Sequence, residues 1–161
     1  MTIKIIDNFL PKKEFSQIQN TLMSDQFPWF YHDYVYKPSE KNKFYINHNF
    51  YNYFQQKSNF FNLWINTLNK LKIKSLIRIK GNLHTKAEKM TYNNFHYDLP
   101  FNHKGCIMYI NNNNGCTYFK EGETAVEPKE NRVVLFDPSI EHKSSRCSDS
   151  KIRITINFNY F

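Results

Sequence analysis

The second half of the chain, after residue 75, consists of short runs in which apolar and polar residues alternate, each bounded by turn residues. This two-residue period is typical of β-strands that bury one face. The runs cover residues 76–83, 91–97, 106–110, 116–119, 132–136, 141–145 and 152–158. Asn114-Gly115 and Glu121-Gly122 stand where hairpins are expected to reverse. So many short strands in succession predict a jelly roll or a barrel.

The first half of the chain is predicted to support that sheet with helices. Apolar residues at helical spacing predict one helix over about 12–23, and Ser58 is a suitable cap for a second helix that ends near Lys70. At 161 residues, the chain has the length of one domain of roughly 150 residues. We expect an α+β fold with helices and a lid segment in 1–74 and a jelly-roll core in 75–161.

Between the two predicted helices, residues 27–54 show neither the helical nor the strand period. Long irregular segments in compact domains are commonly lids or binding loops. Since aromatic residues make up 17% of the whole chain, their density here also fits an ordinary share of the composition. The aromatic candidates for substrate contact are Trp29, Tyr31, Tyr34 and Tyr36.

Several features of the sequence bear on where the protein acts. No apolar run approaches the roughly 18 residues of a membrane-spanning helix, so no membrane partner is predicted. Asp7 comes too early for the apolar region of a signal peptide. Cys106, Cys116 and Cys147 lack the spacing of a zinc or redox site and cannot all pair with one another. Reduced thiols in the cytoplasm are therefore expected.

The charge balance is basic, with 22 Lys and Arg against 14 Asp and Glu, for a net charge of +8. Such a balance suits anionic substrates or nucleic acid. The lysines are scattered rather than gathered into one block, which equally fits a solvated surface.

A possible metal site begins with His96 and Asp98, which close one of the predicted strands. Because side chains alternate along a strand, these two residues share a face while Tyr97 points away. A single His-x-Asp is a weak motif, but His142 lies in a later predicted strand. Two histidines and one carboxylate form the 2-His-1-carboxylate set, which leaves positions open on a bound iron.

The last predicted strand carries two different faces. Its apolar face suits packing under the helices, so the opposite face should line the interior and bring Arg153 beside the metal site. A guanidinium in that position can hold a carboxylate bidentately. The polar face consists of Arg153, Thr155, Asn157 and Asn159, and we take Asn157 and Asn159 as candidates for substrate contact.

The order His96-x-Asp98, His142, Arg153 resembles that of the Fe(II)- and 2-oxoglutarate-dependent oxygenases. The likeness is strongest to the prolyl 4-hydroxylase superfamily, especially its small phage-encoded members, and it covers nearly the whole chain. The segments that carry it are IIDNFLPKKEF, FPWFY, IRIKGNLHTK, FHYD, CIMYINNNNGCTYF, RVVLFDPSIEHKSS and RITINFNYF.

This resemblance implies a double-stranded β-helix, with the N-terminal helices on its larger sheet, and a role for each motif residue. His96, Asp98 and His142 would hold Fe(II), and Arg153 would pair with the distal carboxylate of 2-oxoglutarate. Tyr109 and Thr117 would donate hydroxyl hydrogen bonds to that co-substrate. Ascorbate would be stimulatory, and a phage origin would place the enzyme in the host cytoplasm.

The resemblance also implies a reaction, in which O2 and 2-oxoglutarate are consumed, succinate and CO2 are released, and a proline is hydroxylated. The substrate would be a peptide or protein, with proline-rich chains included, as for a procollagen-proline dioxygenase. Modification of nucleic acid or of a free amino acid is the alternative within the oxygenases. A cupin-like binding module without oxygenase chemistry is the alternative from another class.

Two departures from the family pattern stand out. Asn159 occupies a position where the family often has Trp, and where nucleic-acid repair oxygenases have a second Arg. Asn131 stands where the family often has Gly before the strand that leads to the distal histidine. His84 and His103 lie near the motif residues in the sequence and receive no role.

Overall fold

In the computed structural model, residues 3–33 and 44–161 are described. These described residues form two α-helices, two short 3-10 helices and a series of mostly short strands. In chain order these are β1 (Lys4–Ile6), α1 (Lys12–Leu22), β2 (Phe30–His32), β3 (Tyr45–Asn52), β4 (Gln55–Gln56), a 3-10 helix (Asn59–Trp64), α2 (Ile65–Leu71), β5 (Leu76–Thr85), β6 (Lys104–Tyr109), β7 (Thr117–Phe119), a 3-10 turn (Glu121–Glu123), β8 (Thr124–Val126), β9 (Arg132–Phe136), β10 (His142–Ser144) and β11 (Ile152–Tyr160).

The strands form two antiparallel sheets. The larger sheet has the order β1-β9-β6-β11-β5-β3-β2, with β4 paired to β3, and the smaller has the order β10-β7-β8. This mostly antiparallel arrangement with few helices is of the jelly-roll type, which confirms the predicted fold class.

The main core lies between the helices and the larger sheet. Helix α1 contributes Phe15, Ile18 and Leu22, the periodic apolar residues that predicted it. They pack in one cluster with the even-numbered apolar side chains of β11 and with Trp64, which is fully buried. Burial of such side chains is the main stabilising term in folding.

Strands β5 and β11 pair along their whole length, and each has one apolar and one polar face. Opposite pairs include Arg153 with His84 and Asn157 with Lys80. Directly opposite residues of an antiparallel pair point to the same side of the sheet. The polar faces of both strands therefore lie on one side, away from the helices, as predicted for β11.

Three expectations from the sequence are wrong in detail. Residues 45–52 form the strand β3 rather than part of an irregular lid, and residues 91–97 form only isolated bridges, at Tyr92 and His96. Asn114-Gly115 does not make a hairpin, because β6 lies in the larger sheet and β7 in the smaller. The segment between β6 and β7 connects the two sheets instead.

Asn131 shows how one departure from the family pattern is accommodated. Its backbone has a φ of 60°, in the left-handed region that Asn tolerates better than most residues other than Gly. Its side chain accepts a hydrogen bond from the Leu10 N–H and donates one to the Leu10 carbonyl, both at 2.8 Å. Asn131 therefore also binds the segment just before α1, at Leu10, to the residue that precedes β9.

Within the described ranges, no helix has the length and the apolar character needed to cross a membrane.

Candidate active site

A cavity of about 580 Å³ lies on the polar side of β5 and β11. The smaller sheet contributes residues from β7 and β10, and the segment 91–98 contributes residues along one side. Ligand sites commonly occupy concave pockets of this size. His96, Asp98, His142, Arg153, Thr117 and Asn157, all singled out from the sequence, are among the lining residues.

His96, Asp98 and His142 come together at this cavity. One ligand atom from each residue lies within 4.8 Å of the other two. The backbones of His96 and His142 are joined by two reciprocal hydrogen bonds of 3.0 Å, and their rings are 4.5 Å apart between centroids. The bridge fixes a residue from an irregular segment against β10, so the two imidazoles meet without a continuous strand at 91–97.

The hydrogen bonds of His142 leave one ring nitrogen directed at the site. Its Nδ1 lies 2.9 Å from the carbonyl of Ile140, an arrangement that places the proton on Nδ1. The Nε2 atom is buried and has no hydrogen-bond partner. Burial, followed by the nearby His142, lowers the pKa of His96. Neutral imidazoles with a free lone pair are the form that binds metal.

Asp98 is held in place through both of its carboxylate oxygens. Arg78 donates to Oδ1 and Asn159 donates to Oδ2, each at 2.9 Å. Burial alone would raise the pKa of Asp98, but the charge of Arg78 and the bond from Asn159 outweigh it and the pKa is lowered. The Asn159 amide also contacts His103 Nε2 at 3.0 Å, and His103 Nδ1 contacts the Phe101 carbonyl at 2.7 Å.

Arg153 is fully buried at the other end of the polar face. Its Nη2 donates to Thr117 Oγ1 at 3.2 Å and to the Cys116 carbonyl at 3.3 Å, while Nε and Nη1 are buried without a partner. Tyr109 donates to Thr117 Oγ1 at 2.9 Å. Of the described residues, no acidic side chain contacts this guanidinium, although buried charges are normally paired.

A glycine makes room for that guanidinium. A Cβ atom on Gly115 would lie 2.8 Å from Cδ and 3.1 Å from Nε of Arg153. Both distances are well inside the roughly 3.5–4.0 Å of an ordinary carbon contact. Gly115 therefore allows its backbone to lie close to the Arg153 side chain. This role differs from the hairpin turn that the sequence predicted for it.

The aromatic candidates from residues 27–54 have different outcomes. The ring of Trp29 packs on the core beside Gly81 and its Nε1 donates to the Leu22 carbonyl at 3.1 Å. Trp29 does not line the cavity, and its role in a lid stays a prediction. Tyr31 is exposed and donates to Asp33 at 2.7 Å, and it does not line the cavity. Tyr34 and Tyr36 lie outside the described residues.

The two asparagines proposed for substrate contact also differ. Asn157 lines the cavity and accepts a long hydrogen bond from Asn82 at 3.4 Å. Asn159 is fully buried and bonded to Asp98 and His103. Asn159 therefore positions the carboxylate of Asp98, and its contact with substrate stays a prediction.

The basic residues that β5 and Arg146 contribute to the cavity were not identified from the sequence. Arg78, Lys80 and His84 line the cavity together with Arg146. Burial, and next the charge of Arg153, lower the pKa of His84 to about 3, so this imidazole is neutral. The available signal was the alternation of polar residues at 78, 80, 82 and 84 in a strand whose other face is apolar.

A second missed feature is a cluster around Lys143, the residue after His142. The Lys143 ammonium lies 4.6, 4.3 and 5.0 Å from the ring centroids of Tyr92, Phe95 and Tyr118. Cation–π contacts of this length are attractive. The cluster therefore holds the segment that carries His96 against the smaller sheet.

No protein-family model matches the chain, and no curated protein sequence does. Solved structures do match it. A viral collagen prolyl hydroxylase from Paramecium Bursaria Chlorella virus-1, in complex with 2OG, has a TM-score of 0.63 at 15% identity, over 99% of this chain and 95% of its own.

Two further structures show the same fold. A prolyl hydroxylase from Trichoplax adhaerens, in complex with a peptide fragment of the hypoxia inducible factor oxygen degradation domain, has a TM-score of 0.71 at 15% identity, over 99% of this chain and 83% of its own. The non-heme alpha ketoglutarate dependent epimerase SnoN from nogalamycin biosynthesis has a TM-score of 0.65 at 11% identity, over 99% and 77%. The chain thus has the fold of the 2OG-Fe(II) oxygenases.

Proposed function

We propose that the chain is an Fe(II)- and 2-oxoglutarate-dependent dioxygenase. The observation that carries the proposal is one cavity lined by a group of metal-ligating side chains and by a buried cation that can bind an anion. At one end lies the His96, Asp98 and His142 group, and at the other lies a fully buried Arg153 with two nitrogens that lack partners. A divalent metal and an anion are the ligands that such groups bind.

The residues fit a metal at the first end. His142 presents a buried Nε2 with no hydrogen bond, and a second imidazole and a carboxylate lie within 4.8 Å. Two histidines and one carboxylate are the ligand set of non-haem Fe(II) oxygenases. His96, Asp98 and His142 would hold the iron, with Asp98 oriented by Arg78 and Asn159.

The residues fit 2-oxoglutarate at the second end. Arg153 would pair with its distal carboxylate through the nitrogens that have no partner in the protein, a charge-assisted pairing that is strongest when buried. Thr117 would donate to that carboxylate, and Tyr109, whose hydroxyl donates to Thr117 Oγ1, would act through Thr117. His84 faces Arg153 across the strand pair and, being neutral, brings no competing charge.

Each group has a separate task in the reaction. The bound iron would supply the oxidation chemistry by which O2 and 2-oxoglutarate give succinate, CO2 and a hydroxylated product. The described residues would bind and orient: Arg153 would hold the distal carboxylate of 2-oxoglutarate, and His96, Asp98 and His142 would hold the iron. Arg153 and Asp98 are buried in this cavity, and burial strengthens the charge interactions that they make.

For the second substrate we propose a prolyl residue of a peptide or protein. Support comes from the fold shared with two prolyl hydroxylases, one solved with a peptide fragment. The epimerase neighbour shows that the fold also serves other reactions, so a free amino acid and a nucleic acid remain as outcomes of the substrate test. The three cysteines are free and buried, which supports a reducing cytoplasm, that of the host if a phage encodes the chain.

Succinate formation tests the proposal. The wild-type protein, supplied with Fe(II), 2-oxoglutarate and ascorbate, is expected to release succinate, and proline-rich peptides are expected to increase the rate. His142→Ala should abolish the reaction. Glu141→Gln is the matched control, since Glu141 is next in the chain and its carboxylate bonds Lys120 instead of facing the ligand set.

The other outcomes have definite readings. Turnover that peptides leave unchanged would support the oxygenase and refute the prolyl substrate. Absence of iron or 2-oxoglutarate binding would refute the enzymatic proposal and favour a cupin-like binding module. Such a module would also tolerate Arg153→Leu, which the oxygenase would not.

A further inference from the structure

The cavity contains more positive charge than the proposed ligands neutralise. Its described lining includes four cationic side chains, those of Arg78, Lys80, Arg146 and Arg153, and one carboxylate, that of Asp98. A divalent iron and the dianion of 2-oxoglutarate would cancel each other, and Asp98 cancels Arg78. An excess of positive charge therefore remains when both are bound.

Among these cations, Lys80 alone has no hydrogen-bond or ion-pair partner within the described ranges. Arg78 is paired with Asp98. Arg146 donates through Nε and Nη2 to neutral oxygens of Thr85 and Lys86. It therefore adds positive charge to the cavity, but these nitrogens already have hydrogen-bond partners. Among the described residues, the Lys80 ammonium contacts the ring of Tyr45, at 4.7 Å from its centroid.

The position of Lys80 places it between the metal-ligating group and Arg153. On the cavity face of β5 it lies two residues from Arg78, which holds Asp98, and four residues from His84, which is opposite Arg153. At about 3.4 Å per residue, it is separated from these two positions by roughly 7 Å and 14 Å along the strand. Its opposite neighbour on β11 is Asn157, a polar residue that also lines the cavity.

The environment keeps this ammonium poorly solvated. Burial, and next the charge of Arg78, lower the pKa of Lys80 to about 8. The side chain is still mostly charged at neutral pH. Asp98 attracts this ammonium only from a distance, and no acidic group of the described residues bonds it. A poorly solvated charge of this kind is stabilised by an anion that enters the cavity.

We infer that Lys80 binds a carboxylate of the substrate that is hydroxylated, with Asn157 beside it as a neutral donor. This inference rests on the proposed function and adds to it that the substrate is acidic. A carboxylate fits better than a nucleic acid because one recessed ammonium recognises one charge, whereas a phosphate backbone is bound along a line of exposed basic groups. The carboxylate can be an acidic side chain or a chain terminus.

Calorimetric binding of short proline peptides tests the inference. The full-length protein is loaded with Fe(II) and 2-oxoglutarate without oxygen, so that binding is measured without turnover. One peptide, blocked at both ends, carries a single Asp beside proline, and a second carries Asn there. A third has no acidic side chain but a free C-terminal carboxylate.

In the wild type the Asp peptide, or the peptide with the free terminus, should bind about tenfold more tightly than the Asn peptide, as expected for one charge-assisted hydrogen bond. The better of these two identifies the source of the carboxylate. Lys80→Met should remove the preference, and Lys80→Arg should retain most of it. Lys89→Met is the matched control, since Lys89 is exposed and outside the cavity.

Three results would overturn the inference. The first is equal binding of all three peptides to the wild type, and the second is a preference that survives in Lys80→Met. The third is a single-stranded oligonucleotide that binds more tightly than any peptide and depends on Lys80. Thermal melting of each variant establishes that it is folded.

The proposed function and this inference fail separately. If 2-oxoglutarate is turned over but the acidic and neutral peptides are equivalent, the oxygenase stands and the carboxylate site is wrong. If binding depends on the carboxylate and on Lys80 while no succinate forms, the carboxylate site stands and the oxygenase is wrong.

Discussion

Replacing Gly115 with alanine is expected to weaken 2-oxoglutarate binding while the fold is kept. The new Cβ would lie 2.8 Å from Cδ of Arg153 and 2.9 Å from Oδ1 of Asn113. Since carbon atoms in contact are separated by about 3.5–4.0 Å, Arg153 would have to move by roughly 0.7 Å or more. Arg153 is fully buried, so this displacement reaches its guanidinium.

The expected loss of affinity for 2-oxoglutarate depends on how far Arg153 can move before its hydrogen bonds to the carboxylate are weakened. Binding groups must be held within about 0.5 Å of their productive geometry, and the expected displacement exceeds that. A charge-assisted hydrogen bond contributes about 1.5–3 kcal/mol. Loss of about half of that contribution corresponds to roughly a 3- to 12-fold rise in the Kd for 2-oxoglutarate.

The assay is a titration of 2-oxoglutarate into the wild type, Gly115→Ala and Gly81→Ala, with calorimetric detection. Gly81→Ala is the matched control, because its Cβ would lie 3.1 Å from the Trp29 ring on the core side of β5. It should lower the melting temperature and leave the Kd within about twofold. An unchanged Kd in Gly115→Ala, or an equal rise in both variants, would refute the assignment of Arg153 to the co-substrate.

Three further variants probe the surroundings of the site. Asn159→Leu removes the donor to Asp98 Oδ2, so iron affinity measured by metal titration should fall about 10- to 100-fold; unchanged affinity would rule out a positioning role. Lys143→Met should lower the free energy of unfolding by about 1 kcal/mol and weaken metal binding through the segment of His96, and a melting curve like that of the wild type would contradict the cluster's role. His84 has a pKa lowered from 6.5 to about 3 by burial and then by Arg153, so its stabilising contribution is complete above pH 6.5 and is lost as the pH falls towards 3. Denaturant unfolding at several pH values should show this loss in the wild type and not in His84→Gln, and parallel pH profiles would show that the folded protein accommodates the charged imidazole.

Periodic segments of the chain could be assigned from the sequence because their periodicity reflects burial of one face. The helix α1, the two faces of β11 and the strand β5 were all predictable in this way. The segment 45–52 was not, although Phe50 and His48 face the core. Its other positions include Asn47 and Asn49, and asparagine is disfavoured in strands, so the alternation did not indicate a strand.

The candidate site could be predicted only as far as its residues are set by order and spacing. His96, Asp98, His142 and Arg153 meet at one cavity, as expected. The part played by Asn159 depends on a contact with Asp98 across 61 positions of the chain. Such long-range hydrogen bonds have no local signature, so this role required the structure.

The opposite faces of β11 separate two kinds of mutational effect. Even-numbered changes from 154 to 158 would be read in a deep mutational scan as losses of abundance, because those side chains form the core. Odd-numbered changes from 153 to 157 would be read as losses of activity in protein that still accumulates. The cavity face of β5 has the same property at even positions. Selection could therefore alter what the cavity accepts, at Lys80 and Asn157 above all, with little cost to folding.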